Sequence, residues 1–339
     1  MTLEVPYGTF EIDDKCIESL IEQDAFKRLK DIHQYGVSAL NSIDYDYSRY
    51  DHCLGVFLIL HTHKLDQKEQ ISGLLHDASH TAFSHFGDYF FKSHGEDAWQ
   101  DINHNQFLDK AGLSIVLSSH SIEKNEVYHK NKRFTALDQP LPDLCADRLD
   151  YNMQGAFRHG LITQDELRSL FNDLKWNGQK WYFTDVSLAK KLSKASITMM
   201  ENIWSCPIGH VSNQILCKVV DMAVKKNLLT LDQIWLKPDS FVISVLNSSQ
   251  DQEILKGLEL IKKLPSVITT GTKFQIPYKC RALDPMMMKD GSLKRLSSID
   301  KEYGRLFKQS QTRAKNGFCF DIPTKILEEY KIYFEELLK

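Results

Sequence analysis

The chain has 339 residues, 42% hydrophobic and 26% charged, with a formal net charge of −3. This is ordinary globular composition, long enough for one large domain or two smaller ones with an ample core. Bulk charge gives no argument for nucleic acid as a partner, although a local basic groove is compatible with it. No run approaches the roughly eighteen uninterrupted apolar residues of a membrane span. Seven cysteines (Cys16, Cys53, Cys145, Cys206, Cys217, Cys280 and Cys319) are scattered and form no CxxC pair. That fits reduced thiols and a cytoplasmic location better than a disulfide framework or a cysteine zinc site. The start, "MTLEVPYGTFEIDD", lacks the basic opening and apolar run of a signal peptide.

In chain order, the spacing of Ile17, Leu20, Ile21, Phe26, Leu29 and Ile32 predicts a helix over 14–35, stopped by Gly36. "RYDHCLGVFLILHTHKL" predicts a second, strongly apolar helix. "DQKEQISGLLHDASH" predicts a third, with Asp66 and Glu69 suited to the positive end of its dipole. "WQDINHNQFLDKAGL" and "LCADRLDYNMQGAFRHG" extend the pattern, so the first 165 residues read as almost wholly α-helical. Beyond residue 170, "KWYFTDV", "FVISVL", "KFQIPYK" and "GFCFDI" read as short strands. Helices are expected around 186–203, 209–226, 250–263 and 324–338. The expected class is therefore mainly α, with a helical core over 1–168 and an α+β portion over 169–339 packed directly on it. The boundary is soft, because no Pro/Gly/Ser-rich linker, internal repeat or low-complexity tract marks it.

"SGLLHDASHTAFSH", Ser72 to His85, places His76 beside Asp77 and adds His80 and His85 among apolar residues. First-row divalent metals take imidazole and carboxylate ligands held on rigid elements. Adjacent side chains at a helix end leave about 100° apart and can reach one ion. Partners from other helices are His52 and Asp147. His76 and His80 also form an HxxxH pair, but without the glutamate that follows the first histidine of a zincin. His61, His63, His94, His120, His129 and His210 have no motif context and read as surface or core residues.

The ordered set His52, His76-Asp77 and Asp147 resembles the metal motif of the HD-domain phosphohydrolases. The match extends beyond the ligands. "FKRLKDIHQYG" resembles that family's "FQRLRxIxQLG", and "SRYDHCLGV" its "SRFEHSLGV". "LLHDASHTAFSH" is similar to "LLHDxGHxPFSH", and "ADRLDY" to "xDRLDY". Together they look like the branch containing the deoxynucleoside triphosphate triphosphohydrolases, over residues 7–160 and more weakly in "KCRALDPMMMKDGSLKRLS". The resemblance implies an HD helical core, a divalent metal (Mn, Fe, Co, Ni, Zn or Mg), a nucleotide or other phosphoester substrate, and a homo-oligomer as a common state.

It also implies roles residue by residue. His80, read as one helical turn after His76 on the same face, and His85 line the phosphate channel and stabilise charge. His104, oriented by Asp88, is the proton-transfer group. Arg49 and Arg148 contact phosphate, whereas Arg28 reads as a structural ion pair. Tyr151 lies beside the sugar, with Gln34 and Tyr35 near sugar and base. Three positions depart from the pattern. Tyr35 replaces a leucine, Ser79 a glycine, and Gly155 an aspartate that would meet the sugar hydroxyl. A site that hydrogen-bonds a hydroxyl discriminates strongly, and that basis is missing here. In the C-terminal half, Lys279, Arg281, Lys294 and Arg295 fall in polar loops, read as solvated surface or as an anion or subunit contact.

The leading expectation is hydrolysis of a dNTP to deoxynucleoside and triphosphate. Its rivals are a phosphatase or phosphodiesterase on another nucleotide or phosphoester, an HD-type di-iron oxygenase using His80 and His104 as further ligands, and a non-catalytic nucleotide-binding module.

Overall fold

The computed structural model describes residues 1–41, 47–91 and 98–338. It opens on a hairpin, β1 (Thr2–Val5) and β2 (Gly8–Glu11), pairing Thr2 with Glu11 and Val5 with Gly8. The helix expected over 14–35 is broken into α1 (Lys15–Ile21), α2 (Asp24–Lys27) and a 3-10 turn over Arg28–Asp31. The break falls where the apolar series skips from Ile21 to Phe26. The segment is then held by tertiary bonds, with Arg28 donating to the carbonyls of Ala78, His80 and Trp235. Arg28 is thus structural, though through carbonyls and not an ion pair.

Next come α3 (Arg49–Thr62), α4 (Gln67–Leu75), α5 (Phe86–Phe90), α6 (Trp99–Lys110), α7 (Leu113–Ser119) and α8 (Ala146–Arg158). α3 begins at a capping box in which Ser48 and Asp51 satisfy each other's backbone N–H groups. Every residue from His52 to Leu60 is buried, as a helix apolar all round requires. Val56, Ile59 and Leu60 pack with α8, while Cys53, Leu54, Phe57 and Leu58 pack with α1, α4, α6 and α7. α3 and α8 meet closely at Gly55, where an added Cβ would lie 1.7 Å from Asp150 Oδ1 and 2.7 Å from Gln154 Nε2. The hairpin, the 3-10 turns and the mostly irregular stretch between α7 and α8 mean that the first 165 residues are less uniformly helical than expected.

The remainder comprises α9 (Gln164–Asp173), β3 (Lys175–Trp176), β4 (Trp181–Phe183) and α10 (Val186–Met199), the last continued by a π-helical turn over Met200–Trp204. Then follow α11 (Pro207–Lys225), α12 (Leu231–Leu236), α13 (Asp239–Asn247), α14 (Gln252–Val267), β5 (Thr269–Ile276), β6 (Met286–Lys289), β7 (Ser292–Arg295), α15 (Leu296–Ile299), α16 (Lys301–Asn316), β8 (Phe318–Asp321) and α17 (Thr324–Glu329). Strand order is β3-β4-β6-β7 in one sheet, with β4 and β6 parallel, and β5-β8 antiparallel in another. The expected strand "FVISVL" is instead the helix α13. Its fully buried residues, Val242 and Leu246, stand four apart, a helical stripe that outweighs β-branched composition. "GSLKRLS" is not a loop: Asp290-Gly291, both at positive φ, turn a β6–β7 hairpin. The final helix is shorter than expected, α17 giving way to a 3-10 turn at Lys331–Tyr333.

One apolar cluster runs from Tyr7 and α3 through α8, α9 and α10 to Met287 and Phe307, on both sides of residue 168. A second joins α11 and α14 to Phe83 and Phe86. No helix among the described residues is long and apolar enough to cross a membrane.

Helix propensity alone predicts that Gly55→Ala gains about 0.5–1 kcal/mol. The contact with Asp150 predicts the opposite sign. Urea denaturation should show a loss of about 1–3 kcal/mol, the cost of overpacking a close-packed site.

Candidate metal centre and adjoining cavity

α4 ends at Leu75, so His76 and Asp77 leave from its C-terminus, as expected, into a turn that carries the chain to α5. The turn is clamped at successive residues. Besides Arg28, Trp235 Nε1 donates to Ser79 O (3.0 Å) and Ala82 N donates to Ile234 O (3.0 Å). Asp239 accepts from Phe83 N (2.6 Å) and His33 N (3.0 Å). Ser84 Oγ donates to His33 O (2.6 Å) and accepts from Arg49 Nε (2.9 Å). His80 therefore lies beyond the helix and not on its face. Its Nε2 nonetheless comes within 3.3 Å of Asp77 Oδ1.

His52 and His76 face each other with Nε2 atoms 3.2 Å apart. Their Nδ1 atoms are committed elsewhere. His52 Nδ1 lies 2.6 Å from Asp150 Oδ2, and His76 Nδ1 lies 2.7 Å from Gly73 O. A carbonyl oxygen only accepts, so His76 carries its hydrogen on Nδ1; the buried Asp150 carboxylate imposes the same on His52. Each Nε2 then offers a lone pair. Asp147 Oδ1 stands 3.1 Å from His52 Nε2 and 3.7 Å from His76 Nε2, and Asp77 oxygens stand 3.5 Å from each. Ligand atoms of His52, His76 and Asp147 all lie within 4.8 Å of one another. Acceptors converging in this way repel unless a cation or a proton sits among them, so the donor set fits a divalent ion. Asp77 stands beside this three-residue group and outside it, with Oδ2 bound by the Arg49 guanidinium.

The electrostatics agree with that balance. Burial opposes charge on His52 and His76, but the facing carboxylates outweigh it and hold both protons above the usual imidazole range. Burial would push Asp77 and Asp147 up, yet Arg49 and the histidines hold them well below the usual carboxylate range. Burial and Arg49 push His80 down to about 4, so it is neutral near pH 7. The Asp147 side chain keeps 39% of its exposure, which opens the cluster to solvent.

A cavity of about 400 Å³ adjoins the cluster, lined by Arg49, the partner of Asp77, and by Tyr151, one turn along α8 from Asp147. Gln34, Tyr35, His85 and Asp88 also line it. His85 is 56% exposed, with Nδ1 3.1 Å from Asp88 Oδ2. Asp88 Oδ1 in turn accepts from Trp99 N at 2.7 Å. The four cluster residues themselves line neither this cavity nor a second cleft beside Lys30 and Asp239; Arg49 and Tyr151 make the link to the first.

Two expected placements are not met. Asp88 holds His85 and not His104. His104 is fully buried, with Nδ1 3.0 Å from Ser79 Oγ and its ring edge-on to His129 at 4.7 Å. Burial and His129 push its pKa well below the ordinary value. The alignment at His104 fails because α6 turns this residue into the core, beneath the turn that Ser79 anchors. Arg148 also points away from the cavity. Its guanidinium donates to the carbonyls of Asp143 and, at 3.1 Å, Gln139, tying down the loop before α8.

At Gly155 an added Cβ would stand 3.0 Å from both Tyr35 Oη and Met199 Sδ. The two departures from the motif are thus one packing event, a larger residue at 35 filling the space a smaller one leaves at 155. His61 bonds Gln70, His63 bonds the carbonyls of Ile59 and Leu174, His120 bonds Ser19, and His129 pairs with Asp101. His210 is different, because it lines the cavity. His94 lies outside the described residues.

Asp150 was not anticipated as functional. It accepts from Tyr7 Oη (2.5 Å), Tyr47 Oη (3.0 Å) and Gln154 Nε2 (2.9 Å) besides facing His52. Its signal was in "DRLD": a second acid three residues after the ligand, on a helix with no other reason to bury a charge.

Three comparisons bear on this arrangement. The HD domain matches residues 49–152. An uncharacterised Bacillus subtilis protein, YdhJ, is 28% identical over 94% of this chain and 98% of its own length. The metal-dependent phosphohydrolase cns2 of Cordyceps militaris is 24% identical over 82% of each. Among solved structures, a phosphohydrolase from Bacteroides thetaiotaomicron superposes with a TM-score of 0.65 at 14% identity, over 93% of this chain and 98% of that one. A hypothetical protein from Aquifex aeolicus gives 0.63 at 15%, over 98% and 99%. Residues 49–152 are accordingly an HD domain, in a chain homologous to a metal-dependent phosphohydrolase.

Proposed function

We propose that this protein is a metal-dependent phosphohydrolase acting on a nucleotide, with hydrolysis of a dNTP to deoxynucleoside and triphosphate as the leading form. One observation carries the reading: two imidazole lone pairs and the Asp147 carboxylate converge, with Asp77 3.5 Å from each imidazole, beside a cavity with cationic and aromatic walls. His52, His76, Asp77 and Asp147 would hold the ion. When bound, such an ion lowers the pKa of water and polarises a phosphoryl oxygen. Arg49, fixed between Asp77 and Ser84, turns toward the cavity as a phosphate contact. His80 is buried and neutral, able to hydrogen-bond a phosphoryl oxygen without adding charge. His85 takes the proton-transfer role expected of His104, because Asp88 holds its Nδ1 and the ring stands exposed in the cavity. Tyr151 and Trp204 meet edge-on at 5.3 Å and give the sugar and base an aromatic wall. Free cysteines throughout support a cytoplasmic setting.

A second reading, phosphatase or phosphodiesterase action on another nucleotide or phosphoester, is favoured by Gly155. No carboxylate stands there, and the Tyr35 phenol supplies the nearest polar group. The di-iron alternative asks for His104 as a further ligand, and His104 is instead fully buried with Nδ1 3.0 Å from Ser79 Oγ.

Three tests follow from the site. Released orthophosphate, measured on a nucleotide panel with and without added inorganic triphosphatase, separates the readings. Triphosphate release needs the added enzyme for colour, whereas phosphatase action gives colour directly. Equal colour from dNTPs in both arms would overturn the leading form. Chelation should abolish turnover, and Mn²⁺ affinity measured by chelator competition should rise with pH through and above about 6.5. The sign follows from His52 and His76, which keep their protons above that value in the metal-free chain and must release them on binding. Asp150→Asn should weaken Mn²⁺ binding by about 10–100-fold, the usual cost of losing the partner that orients a ligating histidine.

A further inference from the structure

Phosphates need cations that are not already committed. Arg148 is closed on two carbonyls, Arg28 on others, and Arg49 is shared with a carboxylate. The far wall of the cavity is built by the C-terminal half, and there the segment after β5 contributes Lys279 and Arg281. Both are exposed, and among the described residues neither has a carboxylate within 4 Å. Their neighbours in the same sequence motif differ. Lys294 stands 4.0 Å from Asp290, and Arg295 is bonded to Asp143. Only the unpaired two face the cavity.

Their backbone is anchored. Tyr278 stacks on Phe318 of β8 at 4.6 Å, Arg281 N lies 3.0 Å from Met200 Sδ, and Ala282 and Leu283 are buried. Arg281 also acts on Tyr151: burial raises that phenol's pKa, and Arg281 is the first charge opposing it. Tyr151 lies 6.4 Å, ring to ring, from the metal-site His52. One wall therefore runs from the cluster through Tyr151 to Arg281.

We propose that Lys279 and Arg281 bind the phosphates beyond the one at the metal cluster, making the substrate class a nucleoside polyphosphate. The proposal rests on the phosphohydrolase reading for its substrate, but the anion site can be tested apart from it. Calorimetry of the metal-loaded full chain with inorganic triphosphate is the direct test. The K279A/R281A variant should bind more than about tenfold more weakly than wild type, and Arg281→Lys should retain most of the affinity. Both side chains are exposed, so thermal melts should be unchanged. Hydrolysis of p-nitrophenyl phosphate, which has no second phosphate, should stay within about twofold of wild type in the double variant, while KM for nucleoside triphosphates rises. Triphosphate affinity unchanged by the double substitution, no binding to wild type, or an equal loss on p-nitrophenyl phosphate would overturn the site. Triphosphate binding that depends on both residues in a protein hydrolysing no nucleotide would uphold the anion site and overturn the catalytic reading instead.

Discussion

The contact between Asp150 and His52 sets the rest of the site. A carboxylate buried in an apolar helix interface is costly unless every lone pair is used. Here two tyrosines, a glutamine and an imidazole use them. The hydrogen placed on His52 Nδ1 leaves Nε2 as an acceptor, which is what lets a core histidine serve as a metal ligand. The requirement propagates into packing. Asp150 needs room against α3, and Gly55 provides it. Tyr7 reaches Asp150 from the loop of the N-terminal hairpin, so even the first residues of the chain are tied to the orientation of one imidazole.

The second constraint is the clamp on the turn between α4 and α5. A turn carrying His76, Asp77 and His80 has no helical ladder to hold it, and Phe83 and Ser84 adopt positive φ. Its backbone groups are satisfied from outside, by Arg28 in the N-terminal part and by Ile234, Trp235 and Asp239 in the C-terminal half. The chemistry is placed by the HD segment, but its geometry is held by residues more than a hundred positions away. That is a physical reason for the two halves to share apolar clusters without a linker between them.

Legibility in the sequence followed the range of the interaction that decides each feature. Helices α3, α4, α6 and α8 could be read because apolar spacing and capping residues are local. The grouping of His52, His76 and Asp147 could be read because their motif residues sit near helix ends, where few geometries are open. α13 was misread because its β-branched composition spoke for a strand while the position of its neighbours decided for a helix. The β6–β7 hairpin carried a local signal, Asp290-Gly291, that polar flanking residues obscured. His104 and Arg148 went wrong for a different reason. Residue type marks what a side chain can bind, and only tertiary structure decides whether Ser79 or a substrate, a backbone carbonyl or a phosphate, is within reach.

Those two displacements also explain how the cavity is shared between the halves. When α6 takes His104 into the core, Asp88 holds the exposed His85 instead, one element earlier. With Arg148 spent on the loop before α8, the segment after β5 brings Lys279 and Arg281 to the cavity, two cations with no carboxylate within 4 Å among the described residues. Tyr35 and Gly155 repeat the pattern on the sugar side, one side chain growing into the space left by another. In each case the departure from the motif is local in sequence, and the compensation is local in space. A scaffold built this way can keep His52, His76 and Asp147 together while part of the wall is redistributed, because the cluster depends on Asp150 and the turn clamp, whereas the wall from Ile203 to Arg281 comes from other segments.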